Sequence, residues 1–478
     1  MKQYKTAIIA ILLIVVAVVA FLLVKNVQNG EPNATEPPAP DNSGYVFPFS
    51  TDQTTQNKIA GIECVGKDHL SLEKQNGTWV CTTYPEIQVL ETNVKSMIAK
   101  LYSYNGAIVY EGAVTDAVRT DFGLDGQTKL VITMKDGTAY TAIFGGMNTA
   151  STAHYIWLEG SETIYLYAKG FQEGVLLNKV GLISKTIFDF SDIGQIVRAT
   201  VWQDDVRKME LSATISGQAG AARDWTMSYP LQRDGNNGNI EAWMGKVLSI
   251  TIKDIAETNC ADLSVYGLDP ASYSVSFTSP EKTITLHIGN KTKDGTQYYA
   301  SVDDGNDVYL INESLVTFKD SEPLLYMDKV VYMVMYTELS KVHITMNGVT
   351  RTMQYEFDKD NKPTYIFEGH RISDIYSEAG ESFTRLLTSL YYLEMTALDL
   401  PGVPEIQGEV LCKIEYELRD GSTNTVVCAE RDDATMYYYV NGEYVGGYGP
   451  QYYLTSSAEK YGVQGCLDAL MKSMNLSE

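Results

Sequence analysis

The chain has 478 residues and a formal net charge of −23. A surface this acidic repels nucleic acid and anionic lipid headgroups, which removes both from the expected partners. The length is too great for one ordinary hydrophobic core and suits several domains.

Thr6–Val24 is an uninterrupted apolar run without charge or proline. Nineteen helical residues at ~1.5 Å rise span roughly 28 Å, about the hydrocarbon thickness of a bilayer. Lys2 and Lys5 precede the run and Lys25 follows it, so the positive-inside rule places the amino terminus in the cytoplasm and the rest outside. A cleaved signal would have a shorter apolar region followed by a small-x-small site. Residues 1–25 are therefore read as a retained single-pass anchor, with the remainder extracytoplasmic. Residues 26–57 contain Pro32, Pro37, Pro38, Pro40 and Pro48 among polar residues. That composition predicts an extended spacer reaching on the order of 30 Å from the membrane.

A first repeat is expected over residues 58–190. It opens with β-patterned runs at Ile59–Val65, Leu70–Lys74 and Thr78–Thr83, and Asn76-Gly77 ahead of Trp79 is a hairpin turn signal. Val89, Val94, Ile98 and Leu101 then fall near helical spacing. After Phe122-Gly123-Leu124-Asp125 come strand patterns at Lys129–Met134, Ala139–Phe144, Tyr155–Leu158 and Thr163–Tyr167.

The second repeat, residues 191–336, is written to the same template. Tyr266-Gly267-Leu268-Asp269 repeats the first motif at an offset of 144, and the same offset carries Gly145 onto Gly289 and Tyr155 onto Tyr299. Trp225 stands where Trp79 did. Strands are expected at Ile196–Trp202, Lys208–Thr214, Ser272–Phe277, Thr283–Ile288, Gln297–Val302 and Asp307–Ile311, with a helix around Asn239–Ile252. Self-similarity at a fixed period marks a duplicated unit.

A third, diverged repeat covers residues 337–478. Strands are predicted at Val342–Met346, Arg351–Phe357, Val410–Leu418 and Thr425–Glu430, with a helix near Ser382–Leu393. Arg419-Asp420-Gly421 and Tyr439 match Lys135-Asp136-Gly137 and Tyr155 at an offset of 284. Gly-Leu-Asp is missing here, and Leu398-Asp399-Leu400-Pro401 stands near its place. Each repeat thus reads ββ-α-ββββ with a short helical tail, which implies an α+β fold of antiparallel sheets each covered by one main helix.

The Gly-Leu-Asp motif has a structural character. Glycine permits a backbone geometry that a Cβ resists, leucine fills a core, and aspartate can cap backbone amides at a turn. The succession of Trp79 or Trp225, a helix, the aromatic-Gly-Leu-Asp turn, a strand pair and a Phe144-Gly145 or Ile288-Gly289 end resembles a bacterial family known as the domain of unknown function DUF4340. The resemblance covers most of residues 60–330 as two copies, with the third repeat a weaker relative. It implies a membrane-anchored extracytoplasmic protein of the kind encoded beside ABC-type transport systems such as those of gliding motility. It brings no catalytic residues with it.

Of the six cysteines, Cys412 and Cys428 flank the Asp420-Gly421 turn on neighbouring strands, and Cys64 and Cys81 share one β-rich segment. Each pair is equally readable as a disulfide, in an oxidising compartment, or as two buried thiols. The five histidines stand singly, without metal-ligand spacing, and each reads as an ordinary strand or surface residue. Asp303-Asp304-Gly305-Asn306-Asp307 is oxygen-rich but breaks the calcium-loop pattern, and reads as a hairpin turn. No nucleophile elbow, phosphate loop or dinucleotide fingerprint occurs. The expectation is a non-enzymatic protein without cofactor or metal, binding a protein partner in a membrane assembly. The 33 tyrosines, clustered at Tyr437-Tyr438-Tyr439 and Tyr452-Tyr453, keep open a cell-wall glycan-binding or glycan-active alternative.

Overall fold

Alternating runs rich in β-branched and aromatic residues pair into three antiparallel sheets of nine strands each. The structure, a computed structural model, describes residues 43–66, 68–214, 224–400, 405–406, 408–456 and 462–476. The expected anchor at Thr6–Val24 lies outside the described residues. Among the described residues no helix is long and apolar enough to cross a membrane.

Packing divides the chain into two compact units. The first comprises the described residues through Ile187 together with Thr251–Leu263 and Gly305–Ile311. It contains the whole first sheet, which runs from edge to edge as Ser43–Gly44, Gly106–Glu111, Thr163–Ala168, Ala153–Leu158, Ala139–Met147, Lys129–Met134, Ile59–Val65, His69–Gln75 and Thr78–Cys81. The antiparallel pair Asp254–Glu257 and Val308–Asn312 belongs to this unit as well, apart from Asn312. The helix Glu91–Ser103 buries Val94, Met97, Ile98, Leu101 and Tyr102.

The second unit comprises Phe188–Ile250, Ser264–Asp304 and the chain from Asn312 onward. It holds seven strands of the second sheet in the order Arg233–Asp234, Asp224–Tyr229, Val206–Thr214, Arg198–Gln203, Tyr273–Thr278, Thr283–Lys291 and Gln297–Val302. Its helix Asn237–Leu248 starts at Asn236, whose side chain accepts from Asn239 N, and it sets Trp243 5.8 Å from the Phe277 ring. The third sheet runs Ala397–Leu398, Glu443–Pro450, Thr435–Val440, Thr423–Glu430, Val410–Leu418, Leu339–Met346, Val349–Phe357, Pro363–Phe367 and His370–Ile372. Its helix Glu378–Tyr391 is capped by Ser377 and packs Phe383 against Tyr355 and Tyr365 at 5.4 Å each.

Eight strands of each sheet share one topology, the fold-level mark of a repeated unit, while the ninth is Ser43–Gly44 at one edge of the first sheet and Arg233–Asp234 or His370–Ile372 at the opposite edge of the others. The α+β architecture matches the sequence reading, with two additions to the expected ββ-α-ββββ. Three of these eight strands precede each helix. A further short strand follows it, at Gly106–Glu111, Asp254–Glu257 and Ala397–Leu398, and pairs with the last strand of its repeat. At four and two residues the last two of these strands are too brief to show a period-two pattern.

The expected spacer through residue 57 does not hold for residues 43–57. Phe47 is fully buried and Phe49 nearly so, stacked at 5.1 Å, and Val46 N donates to Tyr167 Oη at 2.9 Å. Pro48 lies at the start of a 3-10 turn, where its missing N–H costs nothing. Four apolar residues in five, Tyr45 to Phe49, supply enough burial to anchor the segment on the first sheet.

Candidate functional site

The recurring motif is a lock between a turn and a sheet. Phe122 ends the short helix Asp116–Asp121, and Gly123 follows at φ +66. Gly146 N donates to Phe122 O at 2.9 Å. Leu124 enters a small core with Ile143, Trp157 and Ile164, on which Phe122 and Tyr155 pack. Asp125 accepts from Gln127 N at 2.9 Å, capping the turn. In the second repeat Gly267 has φ +69, Leu268 is buried, and Tyr266 lies 4.7 Å from Tyr299, as Phe122 lies 4.9 Å from Tyr155. The third repeat keeps a left-handed glycine at Gly408, φ +81, where a Cβ would strike Glu430 O. Leu398, near the place expected for the motif, lies instead in an edge strand.

The two tryptophans are also equivalent. Trp79 and Trp225 are buried, and each donates its backbone N–H to a side chain in the first turn of its repeat's helix: Glu91 Oε1 at 2.5 Å and Asn237 Oδ1 at 3.0 Å. Trp225 Nε1 also donates to Glu241 Oε1 at 2.8 Å. Neither ring contributes to an exposed surface. All six cysteines are buried and none is joined in a disulfide. Cys412 and Cys428 face each other in strand register, and burial pushes the Cys412 thiol up to about 12.

Opposite its helix, each sheet presents a second face, and strand register defines one cross-strand row on that face in every repeat. In the first repeat the row is Val65, Lys129, Ile143 and Trp157. In the third it is Thr345, Lys413, Val427 and Tyr439. Both rows end on apolar pairs that belong to small cores, Ile143 with Trp157 and Val427 with Tyr439. The second repeat departs from this pattern. Its row reads Trp202, Ser274, His287 and Ser301, so the core pair has become His287 and Ser301 and the row's lysine has become Ser274.

A cleft of about 570 Å³ lies over this row, lined by Trp202, Asp205, Ser274, Thr283, Thr285, His287, Asp303 and Asp304. Ser274 and Ser301 are buried, whereas Asp205, Asp303 and Asp304 are exposed on the rim. Asp205 and Asp303 occupy hairpin turns at positive φ, and Asp303 Oδ1 accepts from Thr285 N at 2.7 Å. Ser274 Oγ bonds His287 Nδ1 at 2.9 Å, which fixes the ring and leaves Nε2 for the cleft. Burial holds the imidazole below its ordinary value, against the pull of Asp303, Asp304 and Asp205. The ring is therefore neutral at pH 7, and the cleft carries the charge of its carboxylates. The cleft presents hydroxyls, carboxylates, one imidazole nitrogen and an aromatic ring.

Reading residues singly missed this site, because His287 among five lone histidines carries no motif. The signal lay in the offset of 144, which puts His287 on the buried apolar position of Ile143. Residues 225–400 match the family model described as Domain of unknown function (DUF4340). The match includes Ser274, Thr283, Thr285, His287, Asp303 and Asp304 of the cleft. No curated protein matches the chain.

Proposed function

We propose that this chain, with its DUF4340 region, is a membrane-anchored extracytoplasmic binding protein that serves as a non-enzymatic scaffolding component of a membrane assembly such as an ABC-type transport system. It would consist of three tandem repeat domains, at residues 58–190, 191–336 and 337–478. The observation that carries this reading is the repeat comparison: one stable unit is built three times, and the second copy alone trades core residues for a polar cleft. Such a trade gives up packing free energy and is best understood as making a recognition surface. The apolar run Thr6–Val24 supports the anchor, and the proline-rich residues 26–42 support a tether.

Cross-linking in intact membranes, followed by identification of the cross-linked proteins, tests the assembly. Recovery of transporter subunits is the expected result, and recovery of none would overturn it. External protease on intact cells should cut within residues 26–42 and release the folded repeats, whereas protection until lysis would reverse the topology. The combination of Trp202 with hydroxyls and carboxylates also favours a second reading, a cell-wall glycan-binding module or glycan-active enzyme. Retention of the protein on isolated cell walls, without membrane partners, would select that one.

A further inference from the structure

We propose that the cleft of the second repeat binds a primary ammonium group carried on a small polar organic molecule. This inference rests on reading the cleft as a binding site and adds the chemistry of its ligand.

Charge sets the class of ligand. The residues lining the cleft include Asp205, Asp303 and Asp304 and no lysine or arginine. An anion would meet three carboxylates and no counter-charge, and an apolar group would strip water from them without compensation. A cation gains from all three.

The other repeats show what the missing cation is. The row that crosses the sheet holds Lys129 in the first repeat and Lys413 in the third, and only the second places a neutral residue, Ser274, there. Lys413 pairs with Glu415 at 2.9 Å. Trp202, a lining residue of the cleft, offers an aromatic face beside which an ammonium can sit.

Geometry separates an organic cation from a metal ion. Among the described residues no group of three His, Cys, Asp or Glu side chains converges closely enough to hold a metal. The carboxylates instead stand around a space of about 570 Å³, the scale of a small organic ligand. The rest of the lining suits the remainder of such a molecule. Thr283, Thr285 and His287 Nε2 can exchange hydrogen bonds with neighbouring hydroxyl or amide groups.

The test uses the purified full-length chain in detergent, titrated calorimetrically with two matched pairs: glucosamine against N-acetylglucosamine, and lysine amide against its Nε-acetyl form. Members of a pair differ in whether the nitrogen is charged, and comparing the two pairs tells whether a sugar or an aliphatic chain carries it. Saturable binding of at least one amine, at least about tenfold tighter than its acetylated twin and weakened by salt, is expected. Asp205→Asn and Asp304→Asn, near-isosteric changes on the exposed rim, should each weaken binding severalfold while leaving the melting temperature unchanged. Equal affinity for acetylated and free forms, or amine binding untouched by both substitutions together, would overturn the proposal. So would the absence of saturable binding by either amine. Partner cross-linking that persists while amine binding fails would sink this inference alone and leave the scaffolding function standing.

Discussion

The carbonyl of Phe122 occupies the space that a side chain on Gly145 would need. The second repeat reproduces this with Tyr266 and Gly289, so two glycines 144 residues apart answer two aromatic turns the same distance apart. The contact is backbone against backbone, and no rotamer change can relieve it.

Gly145→Ala and Gly289→Ala should each destabilise the protein by about 1–3 kcal/mol, the usual cost of overpacking a site that cannot yield. Chemical denaturation would measure the loss. Gly245→Ala is the contrasting case. It lies on the exposed side of the helix Asn237–Leu248, with open space where its Cβ would stand, and should stabilise by up to about 1 kcal/mol through helix propensity.

Trp225→Ala removes a buried ring and should cost about 3–5 kcal/mol. Trp225→Phe keeps most of the volume but loses the indole bond to Glu241, for a smaller loss of about 1 kcal/mol. Comparing the two denaturation midpoints apportions packing against hydrogen bonding. Equal losses would show that the ring's volume matters little there.

The imidazole of His287 gives stability a pH dependence whose sign follows from its lowered pKa. As pH falls, the unfolded chain takes up the proton before the folded one does. The stability tied to neutral His287 is complete above about pH 6.5 and declines below it, until the depressed folded pKa is passed. Thermal melting at pH 7.5 and 5.5 should show a larger drop for the parent chain than for His287→Gln. An identical drop would place the ring in ordinary solvent.

The thiols offer a chemical check on the cysteines. Cys412 and Cys428 are fully buried, and burial raises both above the ordinary thiol range. Iodoacetamide at pH 8 should leave them unmodified in the native protein and label them after unfolding, as mass spectrometry would show. Failure to label after unfolding without reductant would mean that the cross-strand pair is oxidised in the isolated protein.

The parts of this fold that were legible in the sequence are local or strictly periodic. The helix around Val94, Ile98 and Leu101 shows its 3.6-residue spacing, and Gly123 and Gly267 announce a backbone requirement that holds at φ +66 and +69. The strand Ala397–Leu398 was illegible because two residues carry no period, and only tertiary pairing with Gly447 and Tyr448 defines it. Phe47 and Phe49 were hidden by their proline-rich surroundings, whose average composition outweighed a short apolar cluster. The cleft needed strand register as well. Ser274 falls on Lys129 only after a one-residue shift from the offset that aligns His287 with Ile143, and a linear comparison of the repeats does not show that shift.

The outermost strands of the first and third sheets have a consequence for life at high local concentration. They are Ser43–Gly44, Thr78–Cys81, Ala397–Leu398 and His370–Ile372, two to four residues each. A wide antiparallel sheet invites a neighbouring molecule to add its own strand along any open border, the first step toward fibrous polymer. Borders this brief present too few unpaired amides and carbonyls to seed such growth. Copies crowded side by side can therefore meet through their side chains without zipping together through their backbones.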